Sequence, residues 1–223
     1  MPVPAFGYIV TAVLGYFLGS IPSGFLMAKT RGIDIRAIGS GNIGATNVFR
    51  ALGTPAGIIV LLADALKGWA AVALLANLVC DWAYPAASGQ AREWFRIVAG
   101  LAGLLGHNYT CWLYFKGGKG IATSAGVLVA LVPWALLIIL GVWIIVFALS
   151  RFVSLASIAA SATLPFATWL TGCSSTLIII TTAMTALAIC KHIPNIQRLL
   201  QGTENRIGAR RKTADSEVPR QSS

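Results

Sequence analysis

The sequence predicts an all-α integral membrane protein, a compact bundle of seven transmembrane helices with the N-terminus outside and the C-terminus in the cytoplasm. Three observations carry that prediction. The first is composition: of 223 residues 57% are apolar and only 11% charged, at a mean hydropathy of +0.76, whereas a soluble domain keeps about 25% charged residues to solvate its surface. The second is a series of apolar runs long enough to cross a bilayer. The third is the placement of charge, 17 Lys+Arg against 7 Asp+Glu for a net +10, in the connections between those runs. A soluble enzyme is excluded on composition. Nucleic-acid binding, the other reading of a basic surplus, is not expected, because the bases lie where cytoplasmic loops of a membrane protein carry them.

A spanning helix needs about 20 apolar residues. Residues 6–28 form the first; no base precedes them, and the run is too long for the apolar region of a signal peptide. Residues 29–55 are polar and glycine-rich, with Lys29, Arg31, Arg36 and Arg50 against the single acid Asp34. Residues 56–80 and 95–115 are the next two spans. The connection 81–96 balances its charges, and the following one carries Lys116 and Lys119 with no acid. Short loops rich in Lys and Arg stay cytoplasmic, which puts the first and third connections inside and the N-terminus outside. Residues 121–150 read as one tilted helix or as two broken at Pro133. Keeping Lys116, Lys119 and Arg151 on one side favours the broken pair. Spans 153–170 and 174–190, turned at Gly172, bring the count to seven. One domain is expected over 1–205, followed at 206–223 by a disordered basic cytoplasmic tail near anionic headgroups. Cys80, Cys111, Cys173 and Cys190 have no metal-ligand spacing and read as membrane-buried thiols without disulfides.

Three polar clusters carry the chemistry. Gly39-Ser40-Gly41-Asn42-Ile43-Gly44-Ala45-Thr46-Asn47, followed by Arg50 and Gly53, combines glycines that let backbone amides approach an anion with short side-chain donors and a forked cation. Phe115-Lys116-Gly117-Gly118-Lys119-Gly120 precedes a helix start, where ammonium groups, amides and the helix dipole attract phosphate, and Gly106-His107-Asn108 lies one span earlier. A nucleotide P-loop is ruled out, since Leu113 stands at the first glycine position and Gly120 follows the lysine. In the third cluster, a helix over 190–200 would bring His192, Asn195 and Arg198 to one face, with Glu204 beyond and Pro194 either in the first turn or breaking the helix. Asp64 and Lys67 lie inside a span, where an unpaired charge costs about 3 kcal/mol or more. They read either as a structural ion pair or as part of the cytoplasmic site, and Ser154 and Ser157 are open in the same way.

Taken in order, Gly19 to Gly24, Gly39 to Asn47 with Arg50 and Gly53, Gly106-His107 with Phe115 to Thr123, and His192 to Gly208 give a chain that resembles the bacterial glycerol-3-phosphate acyltransferases using acyl phosphate as donor, the PlsY family. Pro194 departs from that pattern, where a polar or charged residue is expected. The resemblance implies transfer of a fatty acyl group from acyl phosphate to the 1-hydroxyl of sn-glycerol 3-phosphate, giving lysophosphatidate and phosphate at the cytoplasmic side of the bacterial inner membrane. It implies catalytic roles for Ser40, His192 and Asn195. Substrate and phosphate binding fall to Gly41, Asn42, Gly44, Thr46, Asn47, Arg50, Lys116, Gly117, Gly118, Lys119, Gly120 and Ser157, with support from Asp64, Lys67, His107, Ser154, Arg198 and Glu204. No cofactor or metal is expected. The expected partners are fatty acyl phosphate, sn-glycerol 3-phosphate and membrane lipid, with the chain acting as a monomer. Direct attack is favoured over a covalent route because acyl phosphate already carries a good leaving group and needs chiefly positioning and charge stabilisation. The rival reading is a transporter of a phosphorylated small molecule, which would hold its charges deeper in the membrane.

Overall fold

The structure, a computed structural model, describes residues 5–208, so most of the expected tail, 209–223, lies outside the described residues. Among the described residues the regular structure is helical. α1 (Ala5–Ser20) and α2 (Ser23–Lys29) share the first apolar run and break at Pro22, whose ring supplies no N–H. The carbonyls at the break are covered by side chains distant in sequence: Lys67 Nζ donates to Ile21 O at 2.7 Å and Thr110 Oγ1 to Ser20 O at 2.6 Å. The polar segment holds a 3-10 turn at Ile35–Ala37 and the amphipathic α3 (Ala45–Leu52). α4 (Thr54–Ala70) continues through one π-helical stretch, Ala71–Leu75, into α5 (Ala76–Ala83).

α6 (Gly89–Asn108) starts well before the expected residue 95, because Ser88 Oγ accepts from Ala91 N and caps it. Much of the connection read as loop over 81–96 is therefore helix, pinned by an Arg92–Asp81 pair at 2.6 Å. α7 (Ile121–Leu131) and α8 (Pro133–Ser150) form the broken pair, with the non-helical Val132 between them and Pro133 in the first turn of α8. α9 (Val153–Leu170) follows, and α10 (Ser175–Lys191) meets α11 (Ile193–Leu200) at a 54° bend. One helix through 190–200 is thereby corrected to two, with Pro194 in the first turn of α11. Arg206 and Ile207, placed by sequence at the head of the tail, bond to the carbonyls of Ser150 and Arg151.

Among the described residues, four helical segments are long and apolar enough to cross a membrane, five if the bent α10–α11 pair is counted, against the seven expected. Two expected spans fall short for physical reasons. α6 carries Arg92, Glu93 and Arg96 in its first turns, and the 11 residues of α7 rise only about 16 Å. The exposed surface remains apolar, with Leu62, Leu78, Trp134, Ile145 and Leu149 all more than half exposed. Of the four thiols, all free, only Cys80 is buried in the protein interior and Cys190 is exposed.

Where no hydrophobic effect drives helices together, small residues let backbones touch. A Cβ on Gly19 would stand 1.9 Å from Gly103 O across the α1–α6 seam, and one on Gly126 would stand 1.8 Å from Ala65 O across the α4–α7 seam. Gly141 on α8 has open space instead. Gly126→Ala is expected to cost about 1–3 kcal/mol and to lower the melting temperature in detergent by roughly 5 °C, while Gly141→Ala leaves it unchanged or slightly higher.

Candidate active site

At the end of the bundle where the 35–53 segment, the 116–120 loop, the start of α9 and the α10–α11 bend meet, the protein encloses a cavity of about 350 Å³. Its mouth is polar and its depth is apolar.

One wall of the mouth is the 35–53 segment. Gly39 and Gly41 take left-handed conformations at φ 62° and 68°, which side chains disfavour. Asn47 sits buried at the centre, where its Oδ1 accepts from Ser40 N at 3.1 Å and its Nδ2 donates to Ile35 O and Ile38 O. Asn42 Oδ1 accepts from Gly44 N at 2.8 Å. Ser40, Asn42, Gly44, Thr46 and Arg50 line the mouth. Asn47 also lines it, yet its amide is engaged by backbone and so shapes the loop, while Gly41 supplies the turn and does not line the cavity.

The 116–120 loop forms a second wall. Lys119 and Gly120 line the cavity, whereas Lys116 is exposed and outside it. Gly117 N donates to Asn108 O and Gly118 N to His107 O, and a Cβ on Gly118 would come within 2.2 Å of His107 Nε2. These two glycines are thus required by the histidine beneath them and lie away from the cavity. Lys119 Nζ donates to Asn195 Oδ1. Burial lowers the Lys119 ammonium to about 8, opposed by the charge of Glu204 and assisted by Arg198 and Arg50.

Glu204 organises the third wall. Its Oε1 accepts from Ser154 Oγ and Asn195 Nδ2, both at 2.8 Å, and its Oε2 accepts from Arg198 Nε at 2.7 Å. Burial pushes the carboxyl up, but the bonds from Asn195, Arg198 and Ser154 outweigh it and hold Glu204 below its ordinary range. His192, 3% exposed, lies at the bend with Nδ1 2.8 Å from Ala188 O. A carbonyl only accepts, so Nδ1 bears the proton and Nε2 keeps a lone pair. Ser157 Oγ accepts from Trp143 Nε1 at 3.2 Å and donates to Val153 O.

Asp64 and Lys67 pair at 2.8 Å, both buried, and His107 Nδ1 stands 3.6 Å from Asp64. Asp64 and His107 reach the cavity, whereas Lys67 does not line it and reaches the α1–α2 break. Sequence reasoning missed the apolar depth, walled by Leu128, Ile139, Trp143, Leu164 and Met184. Nothing in a local pattern separates these from other apolar helix residues. It also missed how many helix starts converge there: Gly44 and Thr46 at α3, Gly120 and Ile121 at α7, and Val153 and Ser154 at α9 all line the cavity, each start presenting amides without helical partners.

A mouth lined by glycines, short polar side chains and cations, continuous with an apolar slot in a multi-pass helical membrane protein, is the arrangement that a membrane enzyme of the acyltransferase class requires. The family model described as Glycerol-3-phosphate acyltransferase matches residues 9–202, and the chain belongs to that family, which serves phospholipid synthesis. A glycerol-3-phosphate acyltransferase of Geotalea daltonii is 45% identical over 197 residues, spanning 88% of this chain and 96% of its own. Among solved structures, PlsY (YgiH), an integral membrane glycerol 3-phosphate acyltransferase, is similar in its glycerol 3-phosphate form at 39% identity and TM-score 0.79, over 90% of this chain and 96% of that one. Its lysophosphatidic acid form is similar at 38% and 0.77, over 90% and 95%.

Because burial lowers the Lys119 ammonium to about 8, its charge is present below that pH and lost above it. The dissociation constant for inorganic phosphate, measured by calorimetry, is expected to rise between pH 7 and pH 9. Lys119→Arg, charged throughout, is expected to remove that rise, and a rise that persists in the variant assigns the titration to another group.

Proposed function

We propose that the chain transfers a fatty acyl group from acyl phosphate to the 1-hydroxyl of sn-glycerol 3-phosphate, releasing lysophosphatidate and inorganic phosphate. The observation that carries this reading is the continuity of the mouth with the slot: one end suits phosphate, the other a hydrocarbon chain. The bound forms of the similar PlsY structures, glycerol 3-phosphate and lysophosphatidic acid, support the acceptor and product classes.

In the proposed step the 1-hydroxyl oxygen attacks the acyl carbon. A carbon–oxygen ester bond forms, the bond from that carbon to the phosphate oxygen breaks, and phosphate leaves with the bonding pair. The hydroxyl proton goes to His192 Nε2 or to a phosphate oxygen of a substrate. Arg50, Lys119 and the helix starts hold phosphate, while Ser40, Asn42 and Thr46 donate to it and to the developing oxyanion. Asn195 is oriented by Glu204 from one side and Lys119 from the other, which suits it to steer the acceptor. None of the four cysteines lines the cavity, in keeping with direct transfer. The chemistry needs no cofactor, since the donor arrives activated.

The proposed setting is the bacterial inner membrane, with the chain a monomer in lipid, seven passes along the bundle, the N-terminus outside and the site facing the cytoplasm. Its support is that the cationic loops, the α8–α9 junction and α11 share one end of the bundle, as positive-inside loops should. The decisive assay is release of phosphate from acyl phosphate, in step with lysophosphatidate, by purified protein in detergent. His192→Ala is expected to lower kcat/KM by roughly 100-fold or more if the histidine is the base, while a variant lacking all four cysteines stays active. A folded but dead cysteine-free protein sinks direct transfer. A modest loss in His192→Ala moves the proton to the substrate phosphate. For orientation, single cysteines at Ser88 and Gly202 are expected to label from opposite sides, and labelling from one side overturns the topology.

A further inference from the structure

The cavity walls change in size from mouth to end. On three helices the residues nearer the mouth are small, Ser157 and Ala160 on α9, Ala188 on α10 and Ala125 on α7, while α8 sets Trp143 beside Ser157 at that level. Deeper on the same three helices they become Leu164, Met184 and Leu128, each 4% exposed or less. The residues behind them, Val132, Ala167 and Leu177, belong to the same packed cluster but do not line the cavity. These three side chains, with the partly buried Leu136 of α8 beside them, end the slot against the packed cluster. From Ser154 to Leu164 α9 rises about 15 Å, and from His192 back to Met184 α10 rises about 12 Å.

We propose that Leu128, Leu164 and Met184 set the length of acyl chain the enzyme accepts, an inference that rests on the reading of the slot as the acyl site. A chain that reaches this floor can lengthen only by displacing close-packed side chains, which is costly. Met184 is the adjustable member, because an unbranched thioether repacks more readily than leucine.

The test uses purified full chain and saturated lysophosphatidates of graded length, presented from the same mixed micelles, with affinity read by competition. Each added methylene is already out of water in the micelle, so chains shorter than the slot bind alike. The first to overrun the floor is expected to lose about 10-fold in affinity. Met184→Ala and Leu164→Ala are expected to move that drop to longer chains by roughly two carbons, the side-chain length removed, and Met184→Phe to move it to shorter ones. A drop that stays in place in variants with normal melting temperatures, or no drop at any length, overturns the proposal. The chain would then leave sideways between α4 and α8, past Leu61 and Leu140, which are nearly half exposed. Because the probe is the product, failure of phosphate release from acyl phosphate sinks the donor reading alone. Failure of every lysophosphatidate to bind sinks the acyl slot and its floor together.

Discussion

Inside an apolar medium, a backbone carbonyl freed at a helix end has no water to turn to and must find a donor within the protein. Much of this molecule follows from that constraint. Lys67 serves Ile21 at the α1–α2 break and Lys191 serves Asn108 at the end of α6 at 2.9 Å, while at the exposed end of α8 Arg206 bonds Ser150 O at 3.1 Å. Arg96 serves Ala130 in the last turn of α7. Cations that look alike in sequence thus divide into those that finish helices and those that face the cavity. Lys119 and Arg198 belong to the second group, tied to side chains instead of backbone. Arg50 also lines the mouth, and it ties the 35–53 segment to the loop after α11 by donating to Asn205 O at 3.2 Å. The pairing of Lys67 with Asp64 makes its buried placement affordable, since each removes the other's unpaired charge.

The same breaks that need capping build the site. A continuous helix would carry its amides away from the cavity, but the starts of α3, α7 and α9 each bring unpaired N–H groups to one place. Gly44, Gly120 and the extended Phe152 are the residues at which those helices begin. The close seams at Gly19 and Gly126 hold α1 on α6 and α4 on α7, and Asp64 of α4 and His107 of α6 meet beneath the 116–120 loop. Packing near the membrane core and geometry at the mouth are therefore parts of one arrangement.

Length and apolarity are local properties, and what depended on them was legible. The runs at 6–28, 56–80 and 153–170 became helices, and Pro133 broke the chain where a lost N–H and a clashing ring require. The polar clusters were found because glycine, asparagine and lysine are out of place in an apolar chain. Where each side chain goes was not legible, because that depends on neighbours distant in sequence. Asn47 and Gly118 have the composition of an anion site and are used to hold a loop and to cover His107. Lys116 and Lys119 stand three residues apart in one loop, and only the second reaches the cavity. The early start of α6 was hidden because Arg92, Glu93 and Arg96 read as loop charges, although a serine cap preceded them.

Glu204 joins α9, α11 and, through Asn195, the lysine of the 116–120 loop by one chain of bonds. Free energies in such a chain are not separable. Removing Ser154, Asn195 or Arg198 alters the position and charge that the remaining members feel, so each single change already includes part of the others' effect. In a thermodynamic cycle these residues would show coupling as large as their individual effects, of the order of 0.5–3 kcal/mol, and behave as one composite group. The energetic unit of the mouth is therefore the carboxylate with all its donors, and a sum over single substitutions would count the same stabilisation several times.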